Sequence, residues 1–275
     1  MYNIAYSKRE GERVAKRIQV AGRIQEIMQD LLRAGDVSVN DLAEQLNVSP
    51  TTVRRCLRRL EAQGLLKRRH GGAVPIETSL YEAFRYDADL QERDQLCADE
   101  KRRIGLAASK EVKDGDVVAL SAGTTTTQIA RALKLHKDVT IVTNAVNIAM
   151  ELARLSSIRV LVTGGYVSGS WFSVLGPAAL ETIAATDIDI AFIGIDGIDG
   201  MHGVTAAHPD EAAVNAAMIA KARRRVVVAD HTKLGKRAAY PLCALDVVDL
   251  VVTDTGAGDD VVASLVEAGV ELVKA

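Results

Sequence analysis

Six short runs rich in Val and Ile recur from about residue 100 onward, with helical stretches between them. The runs span residues 117–120, 139–142, 159–163, 188–195, 225–228 and 250–253, and clear helical stretches span 126–135, 148–155 and 211–222. Continuous apolar runs of this length are typical of strands that are covered on both faces. The alternation therefore predicts a doubly wound α/β domain over residues 100–275, in which a ligand binds beyond the carboxyl ends of the strands.

Small or hydrogen-bonding residues follow five of these runs. They are the turn 121–127 (SAGTTTT), Thr143-Asn144, Gly164-Gly165, the segment 194–197 (GIDG) and the segment 229–233 (ADHTK). Glycine lets a backbone approach a ligand closely, and successive N–H groups and hydroxyls at a helix start bind anions. A Gly-Thr turn alone is also typical of an ordinary capped helix. Because five strand ends carry such residues, the sequence predicts a pocket for a polyhydroxylated ligand, with the Gly-Thr turn and Lys233 facing its phosphate.

Charge is divided unevenly along the chain. Residues 1–75 contain 14 Lys and Arg against 8 Asp and Glu, a net charge of +6, whereas the remaining residues contain 20 against 28, a net charge of −8. A basic segment joined to an acidic one indicates that the basic part meets a polyanion.

The basic segment has the periodicity of a helix-turn-helix. A first helix is predicted by apolar residues at helical spacing, namely Ile24, Ile27, Met28, Leu31 and Leu32. It ends at Gly35, a typical C-terminal cap, and a short second helix follows over residues 39–46. Ser49 then supplies an N-cap and Pro50 the first position of a third helix, which ends near Gly64. The apolar face of this third helix consists of Val53, Leu57 and Leu60.

The opposite face of the third helix and the segment after it carry the residues that we expect to contact DNA. Short hydroxyls followed by arginines suit a helix in the major groove, because Thr contacts phosphate or a thymine methyl and Arg bonds guanine bidentately. Residues 65–70 indicate a basic strand and Gly71-Gly72 a turn, which together form a wing. The predicted DNA-binding residues are Thr51, Thr52, Arg54, Arg55, Arg58, Lys67, Arg68 and His70. The alternative is a surface helix whose arginines only solvate the domain.

Residues 41–73, DLAEQLNVSPTTVRRCLRRLEAQGLLKRRHGGA, resemble the DNA-binding domain of the DeoR family of bacterial regulators. Motifs similar to the sensor domain of that family are SAGTTT (121–126), TNA (143–145), TGG (163–165), GIDGIDGMHGVT (194–205), DEAAVNAAMI (210–219) and ADHTKLG (229–235). The resemblance implies a winged helix-turn-helix followed by an α/β sensor domain similar to ribose-5-phosphate isomerase. It also implies a repressor of a sugar-catabolism operon that responds to a phosphorylated sugar.

By the same resemblance, a defined set of residues lines the effector pocket. The set comprises Ser121, Gly123, Thr124, Thr125, Thr126, Asn144, Gly165, Asp196, Glu211 and Lys233. Two positions depart from the family pattern: Cys56 stands where members usually carry aspartate after the paired arginines, and Ser121 stands where they commonly carry aspartate. The second exchange implies a change in which sugar hydroxyl is read.

The expected organisation is a DNA-binding domain over residues 17–74, a linker over 75–99 and a sensing domain over 100–275. We expect double-stranded operator DNA and a phosphorylated sugar as partners, a dimer or tetramer assembled through the sensing domain, and no cofactor, metal or membrane. Because no apolar run reaches about 18 residues, and because residues 1–16 lack the apolar stretch of a signal peptide, we expect a cytoplasmic protein. Three cysteines without paired spacing, at 56, 97 and 243, predict neither zinc nor disulfides.

A sugar-phosphate isomerase with an accessory DNA-binding module is the alternative function. An isomerase needs a general base and a group that stabilises the enediolate. Asp196, Asp199 and Glu211 offer carboxylates, and His202 is an outside candidate, but residues 201–206 (MHGVTA) lack the lysine in a glycine-rich turn that the isomerase carries. The sequence therefore favours binding without turnover. It leaves open which sugar binds, which operator is read, and whether the effector weakens or strengthens DNA binding.

Overall fold

The computed structural model describes residues 22–62, 65–75, 88–168 and 172–275, with the side chains of residues 88–91 excepted. The chain divides into two compact units, Met1–Glu77 and Thr78–Ala275. Some sequence predictions fall outside the described residues: residues 17–21 of the DNA-binding domain, the helix end near Gly64, and linker residues 76–87.

The described part of the first unit contains three helices and a small antiparallel sheet. In chain order it forms α1 (residues 22–34), β1 (Val37–Ser38), α2 (Val39–Gln45), α3 (Pro50–Ala62), β2 (Leu66–Arg69) and β3 (Gly72–Pro75). β3 lies between β1 and β2, and Gly71, with a φ of +78°, forms the turn that precedes β3. The predicted helices and wing are confirmed, and β1 is a third strand that the sequence analysis did not predict.

Local residues set the ends of these helices. Gly35 has a φ of +80°, and its amide donates to the Leu31 carbonyl at 2.9 Å, which forms the predicted C-cap. The Ser49 hydroxyl accepts a hydrogen bond from the Thr52 amide at 3.2 Å and satisfies one of the free donors of α3. The buried face of α3 consists of Val53, Cys56, Leu57 and Leu60. This packing leaves the arginines of α3 on the surface.

Strands and helices alternate throughout the second unit. In chain order it forms α4 (Ala88–Gln95), α5 (Ala98–Ala108), β4 (Val117–Leu120), α6 (Thr124–Ala132), β5 (Val139–Thr143), α7 (Val146–Leu152), β6 (Ile158–Val162), β7 (Tyr166–Ser168), β8 (Ser173–Leu175), α8 (Pro177–Ala184), β9 (Ile188–Gly194), β10 (Gly197–Asp199), β11 (Gly203–Ala206), α9 (Pro209–Lys221), β12 (Ala222–Val228), β13 (Tyr240–Cys243), β14 (Leu250–Thr253), α10 (Asp259–Glu267) and β15 (Glu271–Lys274). Each of the six predicted runs lies on a strand of the main sheet.

The main sheet consists of seven parallel strands in the order β15-β14-β12-β9-β4-β5-β6. The chain winds from β4 outward through β5 and β6, and then returns to the other side of β4 at β9. The winding direction therefore reverses between β4 and β9. A crevice forms at such a switch point, beyond the carboxyl ends of the two strands, and this is where doubly wound sheets bind ligands.

Helices cover both faces of the main sheet. On one face, α5, α6 and α7 contribute Ile104, Ile129 and Ile148 to a core that includes Phe192 of β9. On the other face, α8 and α9 pack against β9 through buried residues such as Met218. Because successive residues of a central strand face these two cores in turn, most of its positions are apolar. This burial explains the continuous apolar runs in the sequence.

Two smaller antiparallel sheets, β7-β8 and β10-β11-β13, were not predicted. Their strands have three or four residues each, which is too short for a recognisable period in the sequence. They are formed by the segments that follow β6, β9 and β12 along the chain. They therefore supply structure around the carboxyl ends of the main sheet.

Part of the expected linker is helical. The sequence analysis expects a linker over residues 75–99, whereas the structure forms α4 over Ala88–Gln95. This helix belongs to the second compact unit and packs against α6. The low apolar content of α4 (ADLQERDQ) explains why no period was visible.

Candidate functional site

The exposed face of α3 carries most of the predicted DNA-binding residues. The exposed ones are Thr51, Arg54, Arg55 and Arg58, and Thr52 is partly exposed. The Thr52 hydroxyl lies 3.0 Å from the Ser49 hydroxyl, so it is engaged in the helix cap. The arginines form a positive surface along one side of the helix, which fits the phosphates and guanine edges of a major groove.

The wing is joined to α3 by an ion pair. Arg68 Nε lies 2.6 Å from Glu61 Oε2, and the Arg68 amide donates to Glu61 Oε1 at 3.0 Å. Glu61 is in the last turn of α3, so this pair sets the position of the wing relative to the helix. Lys67 and His70, also on the wing, are exposed. Of the three predicted wing residues, Arg68 therefore has a positioning role within the unit.

Cys56 lies on the buried face of α3, with 5% of its surface exposed. The exchange of the usual family aspartate for cysteine therefore concerns packing inside the unit and not the DNA-facing surface. All three cysteines are free. Burial raises the pKa of Cys243 to about 11, so its thiol is protonated at neutral pH.

The Gly-Thr turn lies between β4 and α6, at the switch point. The fully buried Ser121 accepts a hydrogen bond from the Gly194 amide at 2.9 Å, which ties the ends of β4 and β9 together. The hydroxyls of Thr126 and Thr127 donate to the Gly123 carbonyl at 3.0 and 2.7 Å. The first amides of α6 have no partner within the helix. The turn therefore presents backbone N–H groups to an anion, while these threonine hydroxyls hold the turn in shape.

Asn144 holds the Gly-Thr turn from the neighbouring strand. Its Oδ1 accepts a hydrogen bond from the Ala122 amide at 2.9 Å, and its carbonyl accepts one from the Val174 amide at 2.6 Å. The adjacent Ser173 donates to Glu211 Oε1 at 3.4 Å. This chain of contacts links the turn, β8 and the first turn of α9. It brings three predicted site residues, Ser121, Asn144 and Glu211, to the same end of the sheet.

Glu211 is a partly buried carboxyl group in this site. Burial raises its pKa above the ordinary value for glutamate. The positive charges of His208 and Arg93 oppose the rise, and the negative charge of Asp196 adds to it. These influences place Arg93, Asp196 and Glu211 within electrostatic reach of one another. A carboxyl group of this kind is suited to exchange hydrogen bonds with the hydroxyls of a ligand.

Asp196 lies just beyond β9, between two cations. Its Oδ2 accepts a hydrogen bond from the Ala207 amide at 2.8 Å. Its Oδ1 lies 3.2 Å from Arg93 Nη1 and 4.0 Å from Lys233 Nζ. Both carboxylate oxygens are thus already engaged by the protein. Asp196 therefore positions an arginine and a lysine, and these cations are what the site offers to an anionic ligand.

Lys101 is a buried cation that the sequence analysis did not assign to the site. It is 4% exposed, its Nζ donates to the Arg93 carbonyl, and it lies 3.9 Å from Asp230 Oδ2. Burial lowers the pKa of Lys101, and the negative charge of Asp230 opposes that shift. The sequence does carry a signal: Lys101 shares a helical face with Ile104, Gly105 and Ala108, where an apolar residue is expected.

His231 and Asp254 were also missed as a pair. His231 Nδ1 lies 2.9 Å from Asp254 Oδ2, and the His231 amide donates to Asp254 Oδ1 at 2.7 Å. Burial alone raises the pKa of Asp254, but hydrogen bonds from His231 and Gly256 outweigh it and lower the pKa. Both residues follow strands of the main sheet, β12 and β14. Only their adjacency in the sheet brings them together, and no spacing in the sequence indicates it.

Gly165 contributes to the site through the backbone. It has a φ of +126°, and a Cβ at this position would lie 2.0 Å from the Leu175 carbonyl oxygen. Glycine is therefore required where β7 and β8 approach each other. Because β8 carries Ser173, which contacts Glu211, Gly165 helps to place the site without itself supplying a polar side chain.

The carboxylates of the isomerase hypothesis have other partners. Asp199 Oδ1 accepts hydrogen bonds from the amides of Met201 and His202 at 2.8 and 2.7 Å, and Asp199 Oδ2 lies 3.0 Å from His202 Nδ1. These contacts close the turn between β10 and β11. Asp196 is held between Arg93 and Lys233. Of the three carboxylates considered, Asp199 therefore stabilises the turn between β10 and β11, and Asp196 forms ion pairs with Arg93 and Lys233.

These two units define a class of protein: a winged helix-turn-helix joined to a doubly wound α/β unit with a crevice at its switch point is typical of a ligand-responsive transcription regulator. The DeoR-like helix-turn-helix domain matches residues 23–79, and the DeoR C terminal sensor domain matches residues 96–255. The chain therefore belongs to the DeoR family of transcription regulators.

Characterised relatives extend over most of the chain. The glycerol-3-phosphate regulon repressor of Escherichia coli K12 is 31% identical over 83% of this chain and 88% of its own length. The transcriptional regulator GlpR of Haloferax volcanii is 37% identical over 86% and 90%, and the transcriptional repressor GlcR of Bacillus subtilis is 32% identical over 84% and 87%. These relatives are named as regulators, and this chain is likewise a DNA-binding regulator with a small-molecule sensor domain, and not an enzyme.

One solved structure has a partial likeness. A ribose-5-phosphate isomerase from Methanocaldococcus jannaschii is 20% identical, with a TM-score of 0.37 over 50% of this chain and 54% of its own. Among the residues that the structure describes, no helix combines the length and apolar character needed to cross a membrane.

Proposed function

We propose that this protein represses a sugar-catabolism operon and that a phosphorylated sugar, bound at the carboxyl end of the main sheet, controls its binding to operator DNA. One observation carries the effector half of this proposal. Asp196 holds Arg93 and Lys233 two residues beyond Gly194, which itself contacts the Gly-Thr turn at the start of α6. Two side-chain cations and a helix N-terminus at one strand end suit a phosphate group.

The predicted effector residues divide into three groups by their contacts. Lys233 and the backbone amides of Gly123, Thr124 and Thr125 bind the phosphate. Glu211 faces the sugar hydroxyls together with the side-chain nitrogen of Asn144, whose oxygen is bonded to the Ala122 amide. The positioning residues are Ser121, Thr126, Gly165 and Asp196, because their polar groups or backbones are engaged with the protein. In this arrangement Ser121 supports the switch point, and the sugar is read chiefly by Asn144 and Glu211.

The DNA-facing residues divide in the same way. Thr51, Arg54, Arg55 and Arg58 enter the major groove, and Lys67 and His70 contact the sugar-phosphate backbone from the wing. Thr52 and Arg68 position α3 and the wing through Ser49 and Glu61. A domain over residues 17–74 is too small to bind an operator tightly alone. We therefore propose a dimer or tetramer, assembled through the second unit, whose recognition helices engage two half-sites together.

Control of DNA binding follows from linkage. If the phosphosugar binds the DNA-free arrangement of the units better than the DNA-bound one, operator affinity falls by the ratio of those two affinities. If it prefers the DNA-bound arrangement, operator affinity rises by the same rule. In both cases the effector changes DNA binding without being consumed.

The test of this proposal is a thermal-unfolding screen of the full-length protein. Ribose 5-phosphate, glucose 6-phosphate, fructose 1-phosphate and glycerol 3-phosphate are compared with their unphosphorylated parents and with inorganic phosphate. Stabilisation by one phosphorylated compound, with no turnover and with a change in operator affinity, supports the proposal, because a ligand that binds only the folded state raises its stability. Stabilisation by an unphosphorylated sugar alone would contradict the phosphate site.

Replacing Lys233 with alanine should weaken binding of the active phosphosugar by about tenfold or more, since a charge-assisted hydrogen bond contributes roughly 1.5–3 kcal/mol. Operator affinity without effector should not change, because Lys233 lies in the sensor domain. The measurement is a calorimetric titration of each variant with the phosphosugar. Lys110→Ala, an exposed lysine away from the strand ends, is the matched control. An unchanged affinity in the Lys233 variant would remove this residue from the site.

A further inference from the structure

Arg93 joins the effector site to the helix nearest the DNA-binding unit in sequence. It lies in the last turn of α4, the first described helix after the end of β3 at Pro75. Its guanidinium Nη1 lies 3.2 Å from Asp196 Oδ1, at a side-chain exposure of 39% for Arg93 and 17% for Asp196. A residue of α4 thus reaches a carboxylate at the switch point. The sequence predicts residue 93 to lie in the linker and indicates no role for it.

A second contact holds α4 to the same place through its backbone. The buried Lys101 donates from Nζ to the main-chain carbonyl of Arg93 and lies 3.9 Å from Asp230 Oδ2, beyond the end of β12. α4 also packs against α6, whose first turn is the predicted phosphate cradle. The last turn of α4 is therefore attached to the site by one side-chain contact and one backbone contact. The first contact is with Asp196 beyond β9, and the second is with Lys101 on α5.

Two side-chain cations converge on one carboxylate oxygen at this point. Asp196 Oδ1 is shared between Arg93 and Lys233, and Asp196 Oδ2 is taken by the Ala207 amide. Glu211 also lies within electrostatic reach of Arg93 and Asp196, so what this point offers an anion is the convergence of two cations and not a surplus of charge. A phosphate monoester carries a charge of about −1.5 to −2 near neutral pH. An arginine guanidinium has five donors in a planar fork that bonds two phosphate oxygens at once.

We propose that Arg93 is a ligand of the effector's phosphate and is the residue through which effector binding is transmitted to α4. Without effector, Arg93 bonds Asp196. With effector, its guanidinium bonds the phosphate, and the last turn of α4 shifts with it. The change reaches the DNA-binding unit through the residues that precede α4. This inference rests on the proposed function, since it requires that a phosphorylated effector binds at this strand end.

The test compares three variants of the full-length protein. Arg93→Gln removes the positive charge but keeps a side-chain amide as a hydrogen-bond donor. Arg93→Lys keeps the positive charge but cannot bond two phosphate oxygens in the planar geometry of a guanidinium. Arg103→Gln is the matched control, because Arg103 also has a side-chain exposure of 39% and an acidic partner, Glu100 at 3.4 Å, but lies on α5 away from Asp196. Two quantities are measured for each: the affinity for the phosphosugar that stabilises the unmodified protein, and the ratio of operator dissociation constants with and without a saturating amount of it.

Arg93→Gln should weaken phosphosugar binding by about tenfold or more. Even at a saturating concentration of the phosphosugar, the operator dissociation constant of this variant should be nearly the same as without it, so that their ratio is close to one. Arg93→Lys should restore part of both, and Arg103→Gln should match the unmodified protein. If saturating phosphosugar changes the operator affinity of Arg93→Gln as much as that of the unmodified protein, the transmission role is wrong. If Arg93→Gln binds the phosphosugar as tightly as the unmodified protein, the phosphate contact is wrong. If the unmodified protein binds none of the phosphosugars, the proposed function fails and this inference fails with it.

Discussion

Lys101→Met is expected to lower the free energy of unfolding of the second unit by about 3 kcal/mol. Methionine is close to lysine in length and apolar, so it fills the space on the buried face of α5. It leaves Asp230, which is 1% exposed, without the cation at 3.9 Å from its Oδ2. Removing one partner of a buried ion pair is costly because the remaining charge has neither water nor a counter-charge.

The expected loss comes from two contacts that methionine cannot make, namely the ion pair with Asp230 and the hydrogen bond to the Arg93 carbonyl. Lys101→Met combined with Asp230→Asn should recover most of the stability, since asparagine keeps an oxygen for the Thr232 amide that Asp230 now caps.

Calorimetric unfolding of the full chain provides the measurement. Lys134→Met is the matched control: Lys134 Nζ lies 3.4 Å from the buried Glu151, but Glu151 keeps Arg131 at 3.0 Å when Lys134 is removed. A smaller loss is therefore expected for the control. Equal losses in the two lysine variants, or no recovery in the double variant, would show that Lys101 does not serve as the partner of Asp230.

Arg55→Ala is expected to weaken operator binding by about 1–3 kcal/mol for each half-site, which is roughly tenfold to a hundredfold. Arg55 is exposed on α3 opposite the buried Val53 and Leu57. A bidentate bond to guanine is lost in both half-sites of a dimer, so the losses add. Because the side chain is exposed, the free energy of unfolding should change by less than about 0.5 kcal/mol.

The operator is first selected from random duplexes by the unmodified protein, and affinities are then measured by fluorescence anisotropy at one fixed salt concentration. Arg59→Ala removes the same charge from the same helix and is the matched control, since Arg59 was not predicted among the DNA-binding residues. The Arg55 variant should lose discrimination between the selected and a scrambled duplex, and the Arg59 variant should keep it. Equal discrimination in both variants would contradict the assignment of Arg55 to base recognition.

The two predictions differ in how visible their residues are in the sequence. Arg55 follows from local rules, because Ser49, Pro50 and the apolar spacing of Val53, Leu57 and Leu60 fix both the start and the orientation of α3. Lys101 offers only an unusual charge at an apolar position of α5. Its partners, Asp230 and the Arg93 carbonyl, are distant in sequence and meet it only in the folded chain. No local period predicts such a meeting.

The sequence by itself determined the classes of structure. Strands buried on both faces are apolar at most of their positions, so the main sheet was visible as nearly continuous runs, and helix caps were visible as Gly35 and Ser49. The Gly-Thr turn and the strand ends were recognisable because parallel strands bring their carboxyl ends to one edge. These features depend on neighbours along the chain or on the uniform geometry of a parallel sheet.

Tertiary structure decided which groups are available at that edge. Ser121 and Asp196 were predicted to face the effector, but hydrogen bonds from Gly194 and Ala207 engage them with the protein. Arg93 was predicted to lie in a linker, yet it pairs with Asp196, 103 residues further along the chain. A polar side chain pairs with whichever opposite group is close enough in space, and that distance is set by how the helices and strands pack. The sequence alone does not contain it.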